Sequence, residues 1–135
     1  MSHPAKRPLV LIDDEQSFLD LMKMLLTERL DCPVIGFSKP LEALAALPGL
    51  APGVVVSDYN MPDLDGLELA KRAAPLVPDT VFVILSGRDL AGEAARVSAV
   101  PAIRSVLTKP LTWRRVAEEI IRVWPAGAGA PPALR

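Results

Sequence analysis

Residues 53–66 read GVVVSDYNMPDLDG, an apolar, β-branched run that stops at a carboxylate and passes into a loop. The run at 54–56 is typical of a strand buried on both faces of a parallel sheet. Asp58 ends it, and open α/β sheets keep their sites at the carboxyl ends of their strands. Asp65 has the position of an N-cap for a helix that begins near Leu67. Taken alone, Asp58 has two interpretations: a chemical group at a site, or a loop aspartate that only caps the following helix.

The length and composition indicate a single domain with a full hydrophobic core. The chain has 135 residues, half of them hydrophobic, and a net charge of −1. It holds no basic run, which argues against nucleic acid as a direct partner. It also holds no apolar run of the roughly 18 residues that a membrane span needs, which argues against a membrane. We expect an N-terminal extension at 1–7, a domain at 8–124 and a flexible tail or linker at 125–135.

Two features bear on the cellular compartment. Cys32 is the only cysteine, and a lone cysteine fits a reducing environment. The N-terminal extension lacks the apolar core of a signal peptide. A cytoplasmic location is therefore expected.

Strands and helices alternate through the predicted domain. Short apolar runs predict strands at 9–12, 33–37, 54–57, 80–85 and 102–107. Helical spacing and composition predict helices at 15–30, 39–47, 65–74, 89–98 and 113–124, the second ended by Pro48 and the last with Glu119 off its apolar stripe. Such alternation calls for parallel strands, right-handed crossovers and helices on both faces of one sheet, which is an α/β fold.

Polar groups stand at four of the five predicted strand ends. They are Asp13 and Asp14 after the first strand, Asp58 at the third, Ser86 after the fourth and Lys109 after the fifth. These ends lie along one edge of a parallel sheet, so three carboxylates would face and repel one another. A divalent cation removes that conflict, and oxygen ligands without histidine or cysteine favour Mg²⁺. The only histidine, His3, lies in the N-terminal extension and is not expected to take part.

The serine and the lysine of this edge indicate that an anion binds there. An ammonium suits a phosphate or carboxylate oxygen, and a hydroxyl donates one further hydrogen bond. A carboxylate, Mg²⁺, a lysine and a hydroxyl around one point match the requirements of phosphoryl transfer. Asp58 is then the candidate nucleophile, and an aspartyl phosphate is the expected product.

At this point the chain resembles the receiver domains of two-component response regulators. The resemblance covers residues 8–124 and rests on the acidic pair, the DYNMPDLDG stretch, Ser86 and Lys109-Pro110. It implies the flavodoxin-like (βα)5 doubly wound sheet with strand order 2-1-3-4-5. It also implies a histidine kinase or histidine phosphotransfer protein as phosphodonor, and an unknown downstream protein or output domain as receiver of the signal.

The resemblance implies a role for each site residue. Asp58 would be the phosphoacceptor. Asp14 and Asp58 would bind Mg²⁺ directly, the backbone carbonyl of Asn60 would be a third ligand, and Asp13 would act through water. Ser86 would reach the phosphoryl group when the domain switches, and Lys109 would pair with Asp58 or with the phosphate.

The chain departs from the family pattern at one position of the switch, and two residues near the site are expected to affect phosphate lifetime. The family usually has Tyr or Phe three residues before the lysine, where this chain has Val106. Either the valine simply fills the strand's outward face, or the rotamer part of the switch is missing. Asn60 and Arg88 are the positions expected to tune phosphate lifetime, the alternative for Arg88 being a solvated arginine at a helix start.

A cis peptide bond is expected between Lys109 and Pro110. Lys109 must aim its ammonium at Asp58 while the chain turns at once toward the helix at Trp113. A cis bond shortens the Cα–Cα step to about 2.9 Å and makes that turn possible. The family resemblance points the same way.

Two other functions remain open from the sequence. A small aspartate-nucleophile phosphatase of the haloacid dehalogenase type would need an Asp-x-Asp motif after the first strand, where this chain has Asp13-Asp14. A receiver-like module that binds partners without phosphorylation would not need the acidic pair, although Val106 leaves room for it. Stoichiometric uptake of phosphate would separate the receiver from both.

Overall fold

The computed structural model describes residues 6–135 and shows in them one five-stranded parallel sheet. The strands are β1 (Leu9–Ile12), β2 (Val34–Phe37), β3 (Val54–Asp58), β4 (Val81–Ser86) and β5 (Ile103–Thr108), in the spatial order β2-β1-β3-β4-β5. This order is the flavodoxin-like one, so the predicted fold class is confirmed. His3 and the other residues of 1–5 lie outside the described part, so only Lys6 and Arg7 of the predicted N-terminal extension fall within it.

Five α-helices within residues 6–135 cover the two faces of the sheet. They are α1 (Gln16–Arg29), α2 (Pro40–Leu50), α3 (Gly66–Ala73), α4 (Ala94–Ser98) and α5 (Trp113–Val123), with 3-10 turns at Ala74–Leu76, Ala91–Glu93 and Ala126–Ala128. In this described part of the chain, no helix has both the length and the apolar character needed to cross a bilayer.

The hydrophobic core has two layers because side chains alternate along each strand. In β1, Leu9 and Leu11 pack with the buried residues of α1 and α5. Val10 and Ile12 point to the other face and pack with α2 and α3. Both faces of the central strands are therefore covered, which explains why β1 and the start of β3 are continuously apolar rather than alternating.

Two helices differ from their predicted bounds by more than one residue at an end. α2 continues to Leu50 and holds Pro48 inside it, where the sequence analysis ends the helix at Leu47. One missing backbone donor near a helix end is tolerated, and α2 stops instead where Ala51 adopts a left-handed φ of 45°. The predicted helix at 89–98 is a 3-10 turn followed by the five-residue α4. Gly92 lies in that turn, where its backbone freedom disfavours a regular α-helix.

Glu119 is the residue of α5 whose exposure is predicted wrongly from the sequence. Helical spacing predicts it off the apolar stripe, but it is buried in the structure. Its carboxylate accepts hydrogen bonds from Ser105 on β5 and from Arg122 and Arg115 on its own helix. A charge can be buried at this position because three donors replace the lost water.

The segment after α5 packs against the domain, in contrast to the flexible tail or linker predicted at 125–135. The ring of Trp124 covers Gly53, where any Cβ would collide with it, and Ala128 is buried in the core. Leu134 forms an isolated antiparallel bridge with Leu30. The backbone N–H of Ala133 donates to the Asp31 carboxylate at 2.7 Å. Small residues and free backbone groups dock this segment without any periodic apolar pattern, so the sequence shows no sign of it.

Candidate functional site

Three carboxylates converge at the carboxyl edge of the sheet, as the sequence analysis predicts. β1 ends one residue before Asp13, and Asp58 is the last residue of β3. One carboxylate oxygen from each of Asp13, Asp14 and Asp58 lies within 4.8 Å of the others. Asp13 is held in place by the backbone N–H of Glu15, which donates to its Oδ1 at 2.9 Å. The adjacent pairing of β1 with β3 brings these residues together.

Lys109 brings a cation into the same cluster. Its Nζ lies 3.1 Å from Asp58 Oδ1 and 3.4 Å from Asp13 Oδ2. The peptide bond between Lys109 and Pro110 is cis, the geometry expected from the sequence. The lysine side chain is 24% exposed and that of Asp58 is 12% exposed, so the pair is largely shielded from water but open on one side.

This cluster carries more negative than positive charge. Burial, then the charge of Asp13, raises the pKa of Asp58 despite the nearby lysine. Burial also raises the pKa of Asp13, against the hydrogen bond from Glu15 and the attraction of Lys109. Burial alone would lower the pKa of Lys109, but attraction to Asp13 and Asp58 outweighs it and the pKa is raised. One ammonium does not satisfy three carboxylates, so the cluster favours a further cation.

A tight loop after β3 fixes the position of Asp58. A Cβ on Gly66 would lie 2.5 Å from the backbone oxygen of Asp58, so glycine is required by this close approach. The backbone N–H of Gly66 donates to the backbone oxygen of Tyr59 at 2.8 Å and closes the loop. Asp65 caps α3 as predicted, its Oδ1 accepting from the N–H of Glu68 at 2.8 Å. The loop is therefore held at both ends within a few residues of Asp58.

Ser86 lies at the end of β4 and its hydroxyl is occupied by the following loop. The hydroxyl donates to the backbone oxygen of Arg88 at 2.7 Å and accepts from the backbone N–H of Arg88 at 3.1 Å. The side chain is buried and faces the loop in this state. An anion at Asp58 would have to compete with these two bonds for the serine oxygen.

Arg88 packs over Tyr59, a contact that the sequence pattern does not predict. The guanidinium carbon lies 5.3 Å from the ring centroid, and Nη2 donates to the phenol oxygen at 3.2 Å. Both residues line an open cavity of about 380 Å³ beside the acidic cluster, together with Asn60, Asp65, Ser86 and Gly87. Arg88 is exposed to solvent with its guanidinium against Tyr59, and Asn60 is exposed at the rim of the same cavity.

A second unanticipated contact joins this loop to α4. Arg96 Nη2 donates to both carboxylate oxygens of Asp65, at 3.0 and 2.9 Å. Arg96 also pairs with Glu93 at 3.3 Å. The residues lie 31 positions apart, and nothing local in the sequence connects them. The pair ties the loop that follows Asp58 to a helix that has no fully buried residue of its own.

Val106 lies on β5, half-buried and facing α4. It packs at the margin of the second core layer and lines a shallow cavity of about 310 Å³ with residues of the turn before α4 and of α4 itself. The small side chain leaves open space between β5 and α4 at the position where the family usually has an aromatic ring.

Comparison with known proteins gives one family. A model described as the response regulator receiver domain matches residues 9–121. The chain is 34% identical over 123 residues to a protein-glutamate methylesterase/protein-glutamine glutaminase of Thermotoga maritima, covering 83% of this chain and 35% of the relative. It is 38% identical over 98 residues to the transcriptional regulatory protein FixJ of Bradyrhizobium diazoefficiens, covering 70% of this chain and 47% of the relative. The chain thus spans a third to a half of the length of these two relatives.

Solved structures share the fold. A CheY-like receiver domain protein of Methanospirillum hungatei superposes with a TM-score of 0.78 at 22% identity, covering 86% of this chain and 91% of that one. The chemotaxis protein CheY4 of Vibrio cholerae gives a TM-score of 0.76 at 23% identity, covering 88% and 99%.

Proposed function

The chain belongs to the response regulator receiver domain family, and from this premise we propose that Asp58 is its phosphoacceptor. The observation that carries the proposal is the position of the Lys109 ammonium, 3.1 Å from an Asp58 oxygen that also faces two further carboxylates. A strand-end carboxylate with a raised pKa beside a fixed cation is suited to form and hold an acyl phosphate.

In the proposed reaction, a carboxylate oxygen of Asp58 attacks the phosphorus of a phosphohistidine. A new P–O bond forms, the P–N bond breaks, and the departing imidazole nitrogen keeps the electron pair. Lys109 shifts from the carboxylates toward the phosphoryl oxygens and offsets their added charge. Water later attacks the phosphorus and releases inorganic phosphate, which restores the Asp58 carboxylate.

The acidic cluster fits Mg²⁺. Its donors are all oxygen, and three of them come within 4.8 Å of one another. Asp14 and Asp58 would bind the ion directly with the backbone carbonyl of Asn60, and Asp13 would act through water. A bound Mg²⁺ supplies positive charge for the equatorial oxygens of the transferred group.

Ser86 and Val106 have different parts in the proposed switch. Ser86 would leave its two bonds to the Arg88 backbone and donate to a phosphoryl oxygen, which would move the loop after β4. Val106 has no ring to follow that movement, so the signal would reach α4 and β5 mainly through the backbone. Arg88 and Asn60, at the cavity rim, would tune phosphate lifetime by limiting the approach of water.

The proposed partners follow from the family. The donor is a histidine kinase or a histidine phosphotransfer protein, and the signal goes to an output domain or a separate protein.

Although one relative is named as a methylesterase, this chain spans 35% of it, and we infer no turnover here beyond gain and loss of the chain's own phosphoryl group. A cytoplasmic location stays a prediction.

The test is phosphoryl uptake from acetyl phosphate, followed by intact mass. One phosphoryl group per chain is expected with Mg²⁺ and none in excess chelator. Asp58→Asn should abolish uptake, whereas Asp63→Asn, in the same loop, should not, because asparagine tolerates the left-handed φ of 69° found there. Uptake of normal extent in Asp58→Asn or in chelator would refute the site. Continuous release of phosphate without a stable phosphoprotein would favour a phosphatase.

A further inference from the structure

The aromatic ring of Phe18 lies beside the ammonium of Lys109. Phe18 is in the first turn of α1, four residues after Asp14, and the Lys109 Nζ is 4.5 Å from its ring centroid. The ring is half-buried and packs against the core layer formed with α1 and α5. The ring is therefore anchored by contacts other than the lysine.

Three groups therefore surround the ammonium: the carboxylates of Asp13 and Asp58, and this ring. Asp58 changes its charge and its partners when a phosphoryl group is added to it. The ring does not titrate, and the negative face of its quadrupole attracts a cation in every state of the site. Lys109 has a flexible four-carbon stem and stays 24% exposed, so it can swing into water when its ion pairs weaken.

We propose that Phe18 is a positioning residue, which holds the Lys109 ammonium over the acidic cluster during phosphoryl transfer. This inference rests on the proposed function of Asp58. The ring touches neither the phosphorus nor Asp58 in this scheme and acts only through Lys109. Leucine would keep most of the apolar packing of the ring but would lose the attraction to the cation.

The experiment compares Phe18→Leu with Phe18→Tyr, using acetyl phosphate as donor. A small donor excludes any effect of Phe18 on the docking of a protein partner. Phe18→Leu should take up the phosphoryl group about fivefold more slowly, and Phe18→Tyr should stay close to the original rate. Equal slowing in both variants, or none in Phe18→Leu, would overturn the inference.

A double-mutant cycle tests the route through the lysine. In a Lys109→Met background, Phe18→Leu should slow uptake no further, because the cation that the ring holds is gone. Additional fivefold slowing in that background would refute the role of the ring.

A spectroscopic measurement separates failure of this inference from failure of the proposed function. The ring current of Phe18 should shift the Lys109 εCH₂ protons upfield, and Phe18→Leu should abolish that shift, without any donor or metal present. If the unmodified chain takes up no phosphate but the shift is observed, the function of Asp58 fails while the contact stands. If uptake is normal and the shift does not change in Phe18→Leu, the positioning role is refuted.

Discussion

Two carboxylate clusters border the sheet, and their charges are arranged in opposite ways. At the carboxyl edge of the sheet, Asp13 and Asp58 share the single cation of Lys109. Between β5 and α5, the one carboxylate of Glu119 accepts from Ser105, Arg115 and Arg122. The first cluster has too few donors for its acceptors, and the second has more than enough.

The pKa values follow this difference. Burial raises the pKa of Asp13 and Asp58, because too little cationic charge compensates for lost water. The hydrogen bond from Arg122, aided by Ser105 and Arg115, outweighs burial and lowers the pKa of Glu119 to about 2. A buried acid alone therefore does not indicate a site. An acid that its surroundings leave undercompensated does, since a ligand can complete it.

The largest expected effect comes from removing the one cation of the edge cluster. Lys109→Ala should slow phosphoryl uptake from acetyl phosphate by about 10²–10³-fold, the usual loss when one preorganised charge donor is removed. Arg122→Ala, which removes a cation from the Glu119 cluster, should leave the rate unchanged. Equal slowing in the two variants would show that both clusters serve the chemistry.

The free energy of unfolding should depend on Glu119 and not on the aspartates of the edge cluster. Glu119→Ala should reduce the free energy of unfolding by about 2–3 kcal/mol, because it deletes a buried, fully hydrogen-bonded charge. Glu118→Ala, at an exposed position next to it, is the matched control and should have little effect. Asp13→Ala and Asp58→Ala in metal-free buffer should leave the domain as stable or more stable, since each relieves repulsion. Urea unfolding measures all four, and clear destabilisation by both aspartate variants would mark these residues as structural.

Lowering the pH below 4.5 should reduce the contribution of the Glu119 cluster to the free energy of unfolding. The folded pKa of Glu119, about 2, lies below its ordinary value of 4.5, so its contribution is present above pH 4.5 and is lost as pH falls toward 2. Between pH 5 and pH 3 we expect the free energy of unfolding to fall by about 1 kcal/mol, because part of the loss lies below pH 3 and because Arg122 is largely exposed to solvent. Glu119→Gln should lack this component. Urea unfolding at pH 5 and pH 3 checks it, and parallel losses in both proteins would contradict the prediction.

The smallest effect is expected at Val106, which belongs to neither cluster. Val106→Ala should change the phosphorylation rate by less than about twofold, because no atom of this side chain takes part in the chemistry. Amide shifts on adding beryllofluoride should be small across α4 and β5, and larger in Val106→Tyr. Large shifts across that whole surface in the unmodified chain would show that the valine does not limit switching.

The sequence by itself determined the strands, their alternation with helices and the edge to which Asp13, Asp58 and Lys109 belong. Continuous apolar runs specify buried parallel strands, and in a parallel sheet every carboxyl end faces the same way. The order of polar residues at the strand ends therefore already describes most of the site, and the match to the family adds the strand order.

Only the tertiary structure decided which side chains those groups meet. Hydrophobic periodicity says which face of a helix is apolar, but not what the neighbouring element presents to it. Glu119 is buried because Ser105 and two arginines meet it there, and Phe18 meets Lys109 because α1 and the end of β5 converge at the acidic edge. The docking of residues 125–135 likewise depends on backbone groups near Asp31. Arg115 and Arg122 lie one turn from Glu119 on the same helix, where helical spacing alone could have suggested them. The other contacts join residues distant in the chain, so local pattern and propensity carry no record of them.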